Sequence, residues 1–272
     1  MSDASYPPSW FPVLGPEESA ALLARVVDAA RAAGPAALVA FDLDSTLLDN
    51  RPRQARILRE YAALHHLDAL ASHHADDWRG WDARVAMANG GLAPDLIELH
   101  FAPFRSFWRD RFFTSEYCVE DRPIAGAPDY VRAVLASGAG VLYVTGRHEE
   151  MRAGTVICFE RTGFPCPGDG AAGSATGGAT GGSIDLLMKP SLEEHDDLYK
   201  ARTYATLREH GQVVAAFDNE PAHINGYREA FPDAICVHLA TDHSMRDIPL
   251  AGGISSIVDF SSGAGLAPAP RR

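Results

Sequence analysis

Four short apolar runs, each preceded by a segment of helical periodicity, limit what this chain can fold into. ALVAF (37–41) follows residues 16–33, where Leu22, Leu23, Val26, Val27 and Ala30 recur at helical spacing until Gly34-Pro35 stops them. GVLYV (140–144) follows APDYVRAVLASG, a helix closed by Gly138. QVVAAF (212–217) follows a helix expected over 193–211, and AICVHL (234–239) follows one over 221–231. Helices alternating with apolar strands imply a parallel sheet covered on both faces, an α/β Rossmann-like core.

Between the first two strands the chain makes a detour of about 75 to 90 residues, far beyond what a strand crossover needs. Residues 51–124 hold Trp78, Trp81 and Trp108 with Phe101, Phe104, Phe107, Phe112 and Phe113, and include helix-forming stretches such as QARILREYAALHHL. They read as a helical cap inserted into a core made of residues 1–50 and 125–272, with its mouth facing the end of the first strand. The glycine-rich tract at 168–183 lacks a phosphate-loop pattern and is expected to be a flexible surface insertion without chemistry.

Two carboxylates, Asp42 and Asp44, stand at the end of the first strand in VAFDLDSTLL. Such residues serve as N-caps and turns, yet burying a carboxylate costs several kcal/mol unless a cation or hydrogen bonds compensate. Ligands of open parallel sheets gather at the carboxyl ends of the strands. Thr145, Gly146 and Arg147 end the second strand there, and Asp218, Asn219 and Glu220 end the one after.

In this order the residues resemble the haloacid dehalogenase (HAD) superfamily of phosphohydrolases. DLDST matches that family's DxDx[TV] motif, YVTGR its second motif, and FDNE resembles its acidic fourth motif. The detour falls where the family inserts a helical cap. The resemblance implies that Asp42 attacks phosphorus and forms an aspartyl-phosphate, while Asp44 protonates the leaving oxygen and then activates water. It also implies Mg²⁺ held by Asp42, Asp218 and the backbone carbonyl of Asp44. Asn219 or Glu220 would complete the set, with Asn225 a more distant choice.

Thr145 would donate to a phosphate oxygen, helped by backbone amides beside Gly146, and Arg147 is either a substrate contact or a surface residue. Two lysines compete for the third motif. Lys189, followed by Pro190, would mainly start the next helix, whereas Lys200, early on that helix, is favoured as the charge-neutralising group. Arg105, Arg109 and Arg111 read as a solvated helix face, and His65, His66, His73 and His74 as surface histidines.

The implied activity is a phosphatase acting on a small phosphorylated metabolite. The alternatives are a phosphomutase and a catalytically idle scaffold of the same fold. A net charge of −12, from 24 Lys and Arg against 36 Asp and Glu, argues against nucleic acid as a partner. No apolar run approaches the ~20 residues that span a membrane. Four cysteines without metal spacing, and an N-terminus without a signal pattern, make a cytoplasmic location the expectation.

Overall fold

The computed structural model describes residues 11–168, 182–263 and 265–266; the glycine-rich tract, apart from its ends, lies outside them. The core begins with α1 (Pro16–Ala33) and β1 (Ala37–Phe41). A two-residue strand, β2 (Leu48–Asp49), leads into the insertion helices α2 (Arg51–His65), α3 (Ala83–Asn89), α4 (Pro94–Phe112) and α5 (Ser115–Cys118). The chain returns through β3 (Arg122–Pro123), then α6 (Ala127–Ala136), β4 (Gly140–His148), α7 (Arg152–Thr162) and β5 (Ile184–Lys189). It ends with α8 (Asp196–His210), β6 (Gln212–Asp218), α9 (Pro221–Ala230), β7 (Ile235–Leu239) and β8 (Ser255–Ile257).

Six strands form one parallel sheet in the order β5-β4-β1-β6-β7-β8. The apolar runs are continuous because both faces are covered. On β1, Val39 and Phe41 join the cluster under α1 and α6, while Leu38 and Ala40 join the one under α8 and α9. Helix α1 buries Leu22, Leu23, Val26, Val27 and Ala30, and each of its larger aliphatic side chains contributes about 1.5–3 kcal/mol by leaving water. The fold is thus the α/β Rossmann-like core that the alternating pattern implies.

The insertion has a hydrophobic cluster of its own, including Ile57, Leu58, Tyr61, Trp78, Met87 and Phe104. Its two ends are tied by antiparallel pairing of β2 with β3, Leu48 opposite Pro123 and Asp49 opposite Arg122. No helix among the described residues is long and apolar enough to cross a membrane.

Three features go beyond the sequence expectation or depart from it. IDLLMK forms β5, an added edge strand whose Ile184, Leu186 and Met188 alternate inward; Lys189 therefore ends a strand instead of starting a helix, and α8 begins only at Asp196. Helix α7 forms from RAGTVICFERT although Gly154, Thr155 and Val156 are poor helix formers, because Cys158 and Phe159 are buried in the core. His73 is buried, its Nε2 3.0 Å from the Ala86 carbonyl and its ring beside Trp78, so it is an interior residue of the insertion and not a surface histidine.

Candidate active site

Because β4, β1 and β6 are neighbours in register, their carboxyl ends bring Thr145–Arg147, Asp42–Asp44 and Asp218–Glu220 to one edge. Beyond Phe41 the chain turns tightly: the amides of Thr46, Leu47 and Leu48 all bond to the Leu43 carbonyl, and Ser45 takes a left-handed φ of 62°. Thr46 then locks this loop to the one after β6. Its hydroxyl donates to Asn219 Oδ1 and accepts from the Asn219 N–H, both at 3.0 Å. His238 supports the same loop, its Nε2 3.0 Å from the Asn219 carbonyl.

Lys200 lies at the centre of the edge. Its Nζ donates to Asp42 Oδ1 at 2.7 Å, Asp218 Oδ2 at 2.9 Å and the Val144 carbonyl at 2.7 Å. The lysine and Asp218 are almost wholly buried. Burial raises the Asp42 pKa; Lys200 opposes this, the charge of Asp218 adds to it, and the carboxyl comes to rest at about 7. Burial also works against Asp218, but Lys200 and His223 outweigh it and hold its carboxyl well below the ordinary range. His223 sits 3.6 Å from Asp218 and 2.8 Å from Asp197, and Asp218 in turn lifts the imidazole pKa against its burial.

Asp44 has different company. Arg147 grips it through two bonds, Nε to Oδ2 and Nη2 to Oδ1, both at 2.8 Å. Arg53 adds a third at 2.8 Å and Asn50 a fourth at 3.3 Å. Both arginines also pair with buried Asp121, at 2.5 Å from Arg147 and 3.0 Å from Arg53. Two guanidinium groups thus face two carboxylates. Burial would raise the Asp44 pKa, but Arg147 above all and Arg53 next hold it well below the usual carboxylate range.

A bulge at the end of β4 makes this clamp possible. Thr145 pairs with Met188 and His148 with Lys189, so Gly146 and Arg147 swing out of register and the arginine is re-aimed across β1. A Cβ at Gly146 would lie 3.1 Å from the Asp196 carboxylate, a tight contact to which that side chain would have to yield.

Of the residues singled out in the sequence, Asp42, Asp44, Gly146, Arg147, Lys200, Asp218, Asn219 and Glu220 all line one cavity of about 470 Å³. Lys189 does not line it; its Nζ lies 2.6 Å from Oδ1 of Asp196, which does. Thr145 is fully buried and does not line the cavity; its hydroxyl accepts the Arg147 N–H at 3.2 Å. Arg147 is neither a surface residue nor an open substrate contact, because its guanidinium is committed to Asp44, Asp121 and Thr155. Asn219 spends its side chain on Thr46 and the Asp242 carbonyl, Glu220 on Ser244, and Asn225 on Pro249 and Ala251. The sequence reading missed Arg53, Asp121, Thr46 and His223. Only the position of Thr46 inside the DLDST stretch offered a signal for any of them.

Among the described residues, no group of three or more His, Cys, Asp or Glu side chains could enclose a metal ion. Asp42 and Asp218 nevertheless fit a hard divalent cation. They are buried oxygen donors, two carboxylates sharing one ammonium group. A cation at such a sparse site takes most of its ligands from water, backbone and phosphate, as Mg²⁺ commonly does.

No family model matches the chain, and no curated protein matches it. Solved structures of similar shape include a HAD-superfamily hydrolase of subfamily IA from Geobacter sulfurreducens, 12% identical, with 84% of this chain and 94% of that one covered and a TM-score of 0.49. CbbY from Rhodobacter sphaeroides in complex with phosphate is 15% identical, with coverage of 82% and 94% and a TM-score of 0.46. The class C acid phosphatase from Bacillus anthracis with tungstate bound is 16% identical, with a TM-score of 0.37; 77% of this chain is covered, and only 66% of that one. Likeness this distant leaves the chemistry to be argued from the site itself.

Proposed function

We propose that this chain is a HAD-like, Mg²⁺-dependent phosphatase that hydrolyses a small phosphorylated metabolite through an aspartyl-phosphate, and that it acts in the cytoplasm. The observation that carries the reading is Lys200 bridging Asp42 and Asp218 in the floor of the cavity. It sets a carboxylate nucleophile beside a fixed positive charge, as phosphoryl transfer requires.

In the first half-reaction an Asp42 oxygen attacks phosphorus, the bond to the alcohol oxygen breaks, and that oxygen takes a proton from Asp44. In the second, water attacks phosphorus and gives its proton back to Asp44, the bond to Asp42 breaks, and inorganic phosphate leaves. Lys200 stabilises charge on Asp42 and on the phosphoryl oxygens throughout. Asp42, Asp218 and the Asp44 carbonyl would hold Mg²⁺, which when bound neutralises charge on the transferring group. The arginine clamp keeps Asp44 ionised, which suits the second half. To carry a proton in the first half Asp44 must lose a guanidinium partner, and Arg53, carried by the insertion helix α2, is the one that a shift of the insertion would withdraw.

Phosphate release from a panel of phosphorylated metabolites, with Mg²⁺ and with EDTA, tests the reading. Release that needs the metal is expected. Full activity in EDTA would remove the metal site from the account, and no release from any compound would remove the phosphatase.

A further inference from the structure

The wall opposite the carboxylates is aromatic. Trp81, Trp108, Phe112 and Phe113 of the insertion line the cavity that holds Asp42 and Lys200. Trp108 stacks on Phe112 with centroids 4.4 Å apart and planes 22° apart, and Phe113 meets both edge-on. Trp81 turns its edge to Phe112 and remains 36% exposed, so much of its indole lacks cover.

A second cavity, of about 480 Å³, lies beyond this wall. It shares Trp81, Trp108 and Ser244 with the first, so the two adjoin, and Gln54, Trp78 and Phe101 are among its lining. Gln54 and Trp78 are each only 1% exposed. Gln54 donates its Nε2 to Asn50, but its Oε1 has no hydrogen-bond partner, and neither has the indole N–H of Trp78 or of Trp108. Buried polar atoms are seldom left unmatched, and an acceptor and donors left over on side chains that line one cavity point to a ligand that supplies their complements once those side chains turn toward it.

Three kinds of alcohol portion could extend from a phosphate at Asp42 into this space. A sugar or glycerol would set many hydroxyls against indole and phenyl faces. An aliphatic chain would match the wall but leave Gln54 and Trp78 unanswered. A flat heteroaromatic ring answers both, since its face stacks on indole and its edge carries donors and acceptors. We propose, building on the phosphatase reading, that the substrate is a phosphomonoester carrying a flat heteroaromatic ring, of the nucleoside monophosphate type. The ring lies against Trp108 and Trp81, and its polar edge is read by Gln54 and Trp78.

The test compares phosphate release from AMP, GMP, UMP and CMP with release from glycerol phosphate and a hexose phosphate. Quenching of tryptophan fluorescence by the unphosphorylated nucleosides is followed in parallel. Nucleotides are expected to be preferred in kcat/KM, and nucleosides to quench saturably. Trp108→Ala should lower the preference on the order of 10- to 100-fold, the usual worth of a stacked base. Gln54→Leu, which keeps the side-chain volume, should lower it in the same direction if Trp108→Ala fails to fold. Hydrolysis of glycerol and hexose phosphates as fast as nucleotides, without nucleoside quenching, would overturn this inference and leave the phosphatase standing. Saturable quenching without release from any phosphate would overturn the phosphatase and uphold the ring site. Neither signal would overturn both.

Discussion

Asp42 and Asp44 stand two residues apart at the end of the same strand, yet the fold gives them opposite surroundings. Asp42 shares one lysine with a second buried carboxylate and is pushed up to about 7, whereas Asp44 faces two arginines and is held well below the carboxylate range. The Asp42 side sets two carboxylates against one fixed cation, which is the basis for proposing an added cation and a phosphoryl group there. The Asp44 side is balanced, two guanidinium groups against Asp44 and Asp121, and its carboxylate is fixed in direction. Strand alternation would aim residues two apart to the same side, but both lie beyond the end of β1, where the tight turn closing on the Leu43 carbonyl redirects the chain, and each meets different elements: Asp42 meets α8, Asp44 meets α2 and the bulge of β4.

The largest way to break this contrast is Asp42→Asn. The amide keeps the shape but cannot attack phosphorus, so kcat should fall on the order of 10⁴-fold or more with an unchanged circular dichroism spectrum. Next is Lys200→Ala, which leaves Asp42 and Asp218 facing each other without their fixed cation. A loss of about 100-fold or more in kcat is expected from steady-state kinetics. Urea unfolding should show a cost of about 3–5 kcal/mol, as for other buried pairs that lose one partner.

Arg147→Gln attacks the other side of the contrast. Without that guanidinium the Asp44 pKa should rise toward the ordinary carboxylate range, with Arg53 still opposing the rise. Steps that need ionised Asp44 are present above its pKa and lost as pH falls through it, so the acid side of the profile, where Asp42 already titrates near 7, should steepen as a second group rises into the measurable range. The accompanying loss in kcat is expected to be about 10- to 100-fold. A pH profile identical to that of the wild type would show that Arg147 does not set the Asp44 charge. The smallest effect belongs to Lys189→Ala. Its partner Asp196 is largely exposed, so stability should change by about 1 kcal/mol or less and kcat only modestly.

How far the molecule was readable in advance follows from where each signal lay. The strands on either side of the site announce themselves as apolar runs, and the residues just after them must share an edge once the sheet is parallel. That Lys200 reaches Asp42 follows from its place early on a helix leading into β6. Arg53 could not be read in this way. It lies in RPRQARILREYAAL, where its polar neighbours suggest an outward face, and only the packing of the insertion on the core buries it against Asp121 from the far end of the same insertion. Arg147 looked like a surface residue because a strand end gives no hint of a bulge. Strand β5 was hidden by the glycine-rich tract before it and by the Lys-Pro pair that closes it. His223 carries no sequence mark, since its role depends on two aspartates from other elements.

The central claim, that Asp42 carries the phosphoryl group, is tested most directly by acid-quenching the enzyme with a turned-over substrate and mapping its peptides by mass spectrometry. The account predicts a phosphoryl adduct on Asp42 that is absent from Asp42→Asn. An adduct on His223, or turnover by Asp42→Asn near the wild-type rate, would contradict it.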